Sequence, residues 1–216
     1  MRMIWEETIM PAKVNEREYR DFTLAVIEAA DGDEDRVVRG YASTFNQPYT
    51  LYSDDTLEIR EQVHPDAFKD ADMSDVIMQY DHEGRVFARM SNGTLRVAPD
   101  EVGLSMEADL GHTEIGRQLY EEIKGGYTTK MSYGYIVSAD KWESSKIDGK
   151  DIELRTITGI KKVFDVSAVS LPANNATSIS VRNLTDGVIE QILAERQAAL
   201  ELERRKTMLR IKVKEI

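Results

Sequence analysis

The sequence predicts an α+β domain in which mixed, mostly antiparallel strands form a small barrel with a few packed helices, followed by a helical tail. Three observations carry this. Short runs rich in Val, Ile and Leu recur between turn signals from about residue 37 to 171. One internal segment, TEIGRQLYEEIK (113–124), has helical periodicity. Beyond about residue 182 the composition turns to Ala, Glu, Leu and Arg. The chain therefore divides into a β-rich domain, 1–182, and a helical tail, 183–216.

Residues 1–20 are mixed and charged without sustained periodicity, and read as a loosely held arm or a first strand. DGDED (31–35) is a turn of mutually repelling carboxylates. VVRGYASTF (37–45) reads as a strand, with Gly40 marking a bulge or close packing. NQPYTLYSDD reads as a loop, and LEIREQV (57–63) alternates like a half-buried strand. HPDAFKDA (64–71), with Pro65 at a first helical position, predicts one short helical turn. VIMQY (76–80) is a compact apolar strand running into DHEGR, and GTLRV (93–97) and GLSMEADL (103–110) flank a turn as a hairpin.

In the helix, Ile115, Leu119 and Ile123 recur at i, i+4 and i+8, with Thr113 as N-cap and Gly125-Gly126 as the stop. KMSYGYIVSA (130–139) is the next strand. DKWESSKIDGKD (140–151) reads as a polar loop with a turn-type Asp148-Gly149, and IELRTIT and KKVFDVSAVSL are strands. In the tail, Thr185 can cap a helix, Ile189, Ile192, Leu193 and Leu200 form a partial apolar stripe, and Glu201 can pair with Arg205.

Composition narrows the chemistry. The chain has no cysteine, which excludes disulfides, thiolate zinc sites and a cysteine nucleophile, and suits a reducing compartment. Its start lacks the apolar stretch of a signal peptide, and no 18-residue apolar run occurs, so a soluble protein acting inside a cell is expected, with no membrane partner. A net charge of −11 repels phosphate backbones, which argues against nucleic acid as partner. It favours a basic polypeptide at long range or simply keeps the protein in solution.

Amide hydrolysis near neutral pH needs a nucleophile, a base to take its proton and a group that orients the base. Only three histidines, His64, His82 and His112, can serve as imidazole bases. His64 precedes Pro65 and His112 follows Gly111, so both read as turn residues. His82 ends an apolar strand beside Gly84, which makes it either a reachable rim imidazole or an ordinary surface histidine. Ser132 shares a strand face with Gly134, where nothing bulky blocks its hydroxyl; it is a candidate nucleophile or a serine filling a tight spot. Asp165 interrupts an apolar strand and by alternation lies on one face with Val163, Ser167 and Val169. It either points to water at an edge or is buried against a partner such as a histidine N–H. The sequence contains no G-x-S-x-G elbow, no H-E-x-x-H and no glycine-rich phosphate loop. No metal or cofactor is therefore expected.

Five segments, taken in order, resemble a known family. They are RGYASTFN, REQVHPDAF, QYDHEGRVFARMSNGTLRVAPDEVGLSMEADL, KMSYGYIV after the helix ending in GG, and FDVSAVSLPANNAT. Over about 37 to 182 the chain resembles the prohead proteases of HK97-like tailed phages, relatives in fold of the herpesvirus assembly proteases. The resemblance implies a serine endopeptidase with His82 as base, Ser132 as nucleophile and Asp165 as the acidic third member. Asp stands here where many relatives have Glu, and herpesvirus relatives have a histidine. Arg85, close after His82, is a candidate for a supporting role near the oxyanion. The implied substrates are the scaffolding (delta) segment of the major capsid protein and the protease itself, inside the immature shell in the host cytoplasm. The tail would then serve encapsidation or be a self-cleavage product. The first rival is a non-enzymatic capsid or scaffold component with the same fold, and the second is a metal-dependent hydrolase.

Overall fold

A computed structural model of the chain describes residues 6–8, 17–29 and 36–170, with 192–194, 196–198, 201–202 and 205–206 in the C-terminal part. Contacts divide the chain into two units, Met1–Ser180 and Val181–Ile216. In the second unit the described residues have helical backbone, and Arg205 pairs with Glu201 one turn away at 3.5 Å. Thr185, Ile189 and Leu200, together with DGDED (31–35), lie outside the described residues.

Among the described residues the first unit is built from strands β1 (Glu6–Thr8), β2 (Arg17–Ala29), β3 (Val37–Thr44), β4 (Tyr49–Ser53), β5 (Leu57–Val63), β6 (Ile77–Tyr80), β7 (Glu83–Arg89), β8 (Leu95–Pro99), β9 (Gly103–Asp109), β10 (Lys130–Ile147) and β11 (Lys150–Val169), with one α-helix, α1 (Glu114–Lys124). The strands hydrogen-bond in the order β4-β5-β11-β10-β2-β3-β9-β8, with β1 added to β10, and β6 and β7 added beside β11. Pairing is antiparallel except where β11 meets β5 and β6. The mostly antiparallel, helix-poor architecture agrees with the expectation, but the closed barrel does not. Among the described residues no ladder joins β8 back to β4 or β7, so the sheet stays open at both ends.

Local chemistry accounts for most elements. In β5 Leu57, Ile59, Glu61 and Val63 are buried and the residues between them are half-buried, the period-two pattern of a strand covered on one face. Thr113 accepts a hydrogen bond from the Gly116 amide at 3.0 Å and caps α1, whose Leu119, Tyr120 and Ile123 are buried. The His64 imidazole accepts from the Asp66 amide at 3.1 Å and starts the short turn Pro65–Phe68.

Three sequence expectations need correction. NQPYTLYSDD contains the edge strand β4, whose half-buried side chains conceal its alternation. Residues 140–147 continue β10 rather than forming a loop, and the turn is confined to Asp148-Gly149. Both turn residues have positive φ, 51° and 87°, the requirement of a two-residue hairpin turn of the I′ kind. This joins two strands of 18 and 20 residues into one long ribbon. On β3 the irregularity falls between Tyr41 and Ser43, which corrects the bulge, one of the two readings of Gly40.

Beneath this ribbon lies an ion cluster. Arg155 on β11 is 1% exposed. It donates to Asp140 at 2.7 Å through Nε, to Glu18 and Glu61 at 2.8 and 2.9 Å through Nη1, and again to Glu18 at 3.0 Å through Nη2. A guanidinium is tolerated at that depth only because carboxylates satisfy its fork of donors. The cluster fastens β2, β5 and β10 to β11, and through Glu18 it fixes the start of β2.

Candidate active site

Alternation on β10 separates two functions. Met131, Tyr133 and Tyr135 point into the core, where Tyr133 and Tyr135 stack with ring centroids 4.3 Å apart. Ser132 and Gly134 therefore face the other side. On the partner strand, Ser132 is opposite Ser167 and Gly134 opposite Asp165, but Tyr135 is opposite Val163. The register thus skips Phe164. This bulge moves Val163 into the core, so Val163 does not share a face with Asp165 as simple alternation predicts. Asp165 and Ser167 stay on the Ser132 face, next to a bulge of the kind found beside functional sites.

His82 arrives from the other side of β11. β6 runs parallel to β11, with Asp165 opposite Ile77 and Ala168 opposite Tyr80. A two-residue turn, Asp81-His82, then leads into β7, with φ of 48° and 59°. Left-handed backbone is costly for residues with a Cβ and persists where the surroundings hold it. The hold comes from Asp81: its amide donates to the Ala168 carbonyl at 3.0 Å, and its carboxylate accepts from the Ser170 amide and hydroxyl, each at 3.0 Å. The turn carrying the imidazole is tied to the end of the strand carrying Asp165.

These elements bring together all three residues singled out from sequence. His82 Nε2 lies 2.5 Å from Ser132 Oγ, and His82 Nδ1 lies 2.5 Å from Asp165 Oδ1. Ser132 and Asp165 are fully buried, and the His82 side chain is 14% exposed. Asp165 Oδ1 also accepts from Ser167 Oγ at 2.8 Å, and Oδ2 accepts from Arg17 Nη2. Burial works to raise the Asp165 pKa. The hydrogen bond and charge of His82, the Arg17 charge and the Ser167 hydroxyl outweigh it and hold the carboxyl below its ordinary value. An ionised carboxylate only accepts, so His82 Nδ1 carries the proton and neutral Nε2 presents a lone pair to the serine hydroxyl. That arrangement can withdraw a proton from Ser132 and return it to a leaving group.

Gly134 has a task that its spacing alone does not reveal. A Cβ there would lie 2.5 Å from Asp165 Oδ2 and 2.9 Å from both Nε and Nη2 of Arg17. The missing side chain makes room for the carboxylate and its guanidinium partner.

Arg17 and Tyr19 were not legible as site residues. The Arg17 guanidinium lies 4.5 Å from the Phe164 ring centroid and 4.9 Å from that of Tyr19, and the Tyr19 ring meets the His82 ring edge-on at 4.4 Å. Their segment, 1–20, carries no sustained periodicity, so nothing local singled them out beyond its reading as an arm or a first strand. The other candidates lie elsewhere. His64 caps a turn, His112 contacts Asp109 at 2.9 Å on the surface, and Arg85 is exposed on β7. Among the described residues Arg85 makes no hydrogen bond to Ser132, His82 or Asp165, and no cluster of His, Asp or Glu could hold a metal ion.

A family model described as caudovirus prohead serine protease matches residues 23–189. No curated protein matches the chain, and no solved structure matches it.

Proposed function

The chain belongs to the caudovirus prohead serine protease family, and from that premise we propose that it cleaves the scaffolding segment of its major capsid protein, and itself, through Ser132, His82 and Asp165. The family is one of hydrolases acting in bacteriophage capsid maturation. The observation that carries the finer reading is the unbroken hydrogen-bond chain from Ser132 Oγ through both nitrogens of His82 to Asp165.

In the proposed mechanism His82 Nε2 takes the Ser132 proton as Oγ attacks the scissile carbonyl, and then delivers it to the departing amine. The acyl-enzyme ester is hydrolysed by water that gives its proton to the same nitrogen. Asp165 keeps Nδ1 protonated and stabilises the imidazolium that forms in each half-reaction. Cleavage takes place within the prohead in the host cell. The segment after about residue 182, read from sequence as a helical tail, serves encapsidation, by contact with a helical scaffold segment, or is released by self-cleavage. A non-enzymatic scaffold would not need the three groups aligned.

The test is the intact mass of the purified chain over time, alone and with its capsid protein, with a serine-directed fluorophosphonate or a chelator added. We expect fragments in the untreated sample, none after fluorophosphonate labelling at Ser132, and no effect of the chelator. Fragmentation that persists in a fully labelled sample would remove Ser132 from the mechanism.

Gly134→Ala is expected to keep the fold and lose most of the activity. The new methyl displaces Asp165 or Arg17, and a shift of about 1 Å in such a group lowers rates by about a hundredfold. Overpacking costs about 1–3 kcal/mol of stability. Urea denaturation run beside the cleavage assay separates the two effects. Activity at the wild-type rate in Gly134→Ala would mean that the carboxylate does not need its present position.

A further inference from the structure

We propose that Arg17, six residues before the family match begins, is a positioning residue for the Asp165 carboxylate. The inference rests on Ser132 as nucleophile.

Asp165 has two oxygens in a fully buried setting. Oδ1 takes the His82 and Ser167 donors, while among the described residues Oδ2 takes Arg17 Nη2. A carboxylate with donors on one oxygen alone can turn about its χ2 axis. A guanidinium fixed on the other oxygen stops that rotation, so Oδ1 stays on His82. Arg17 is itself fixed on two sides. Its plane lies beside Phe164, the residue the β11 bulge pushes out of register, and beside Tyr19. Its neighbour Glu18 points to the opposite face of β2 and makes two hydrogen bonds to buried Arg155. One dipeptide thus anchors the strand with one residue and the carboxylate with the next, and Tyr19 completes the wall against the His82 ring.

The geometry also sets an electrostatic balance. Asp165 favours the imidazolium of His82, and the Arg17 cation opposes it. Among the described side chains, the other titratable groups near them are Tyr19 on β2, Glu83 at the start of β7 and Lys162, whose Nζ lies 5.4 Å from the Phe164 ring centroid. A purely structural arginine would affect folding alone; this one should affect the pH dependence of Ser132 reactivity.

The experiment measures fluorophosphonate labelling of Ser132 by intact mass across pH in the full-length chain. It compares wild type with Arg17→Met and Arg17→Lys, each also followed by urea denaturation. For Arg17→Met the plateau rate should fall about tenfold to a hundredfold, the loss typical of removing a partner that orients an active group. The acid limb should move to higher pH, because no cation then offsets the carboxylate. Arg17→Lys should restore the position of the limb, which needs only the charge, and only part of the rate, which needs the fork. A folded Arg17→Met chain with wild-type rate and limb overturns the inference. If that variant does not fold, Arg17→Lys decides, and a wild-type plateau rate in it overturns the inference. A wild-type chain that takes up no label at Ser132 overturns the nucleophile assignment first, and the role of Arg17 falls with it.

Discussion

Ser132→Ala is expected to slow cleavage by about a millionfold, the loss seen when a serine nucleophile is removed from an assembled triad. Without Oγ, the His82 lone pair has no hydroxyl to deprotonate, and Asp165 then orients a base with nothing to act on. What survives is the acceleration supplied by binding and by any oxyanion donors, about a thousandfold to ten-thousandfold over water. The fold should barely respond. Ser132 contributes a small side chain to β10, and its loss removes the hydrogen bond to His82, worth about 1 kcal/mol. A single-turnover time course with the capsid substrate, read by intact mass, tests both points. Full-rate cleavage by a folded Ser132→Ala chain would place the nucleophile elsewhere.

Elements whose chemistry is local were read correctly. The helix 114–124 has its cap, its stripe and its stop within 14 residues, and β5 shows its alternation openly. The misread segments are those whose stability is non-local. Residues 140–147 look polar because Ser144 spends its hydroxyl on Glu153 across the hairpin and Trp142 is the main buried anchor. Nothing within the segment reveals that β11 and β1 pair with it on either side. β7 was hidden for a similar reason: Glu83, Gly84, Arg85 and Val86 are exposed, and only Ala88 is buried. The barrel expectation failed at the same level, since the closure of a sheet depends on which edges meet.

The site divides along the same line. His82, Ser132 and Asp165 could be picked out because their immediate surroundings, a strand end, a small-residue strand and a carboxylate in an apolar run, recur in a fixed order that resembles a family. Their mutual orientation depends on features without a local signature. The bulge at Phe164 reverses the face expected for Val163, and the left-handed turn at His82 depends on Asp81 meeting Ser170. Arg17 was out of reach because its partner lies 148 residues away. The role of Gly134 became clear only once the atoms that would crowd a Cβ were known.

Asp165→Asn should lower the rate by about ten-thousandfold, and Arg17 explains why the loss should be so complete. An asparagine amide could in principle offer either its oxygen or its NH2 to His82. The Arg17 guanidinium donates only, so it selects the amide oxygen and leaves the NH2 facing His82 Nδ1. That nitrogen must then accept, the imidazole proton moves to Nε2, and the base meets the Ser132 hydroxyl as a donor. The stability of the variant carries an independent signature. The Asp165 carboxyl is held below its ordinary value of 3.8, so its ionised form is favoured by folding. That contribution is complete above the unfolded pKa and is lost as pH falls through the lower folded value. The stability gap between wild type and Asp165→Asn should therefore close as pH falls below about 5. Urea denaturation at several pH values measures the gap. A gap that instead stayed open or widened below about pH 5 would mean that the carboxyl is protonated in the folded chain, and the tautomer argument for His82 would lose its basis.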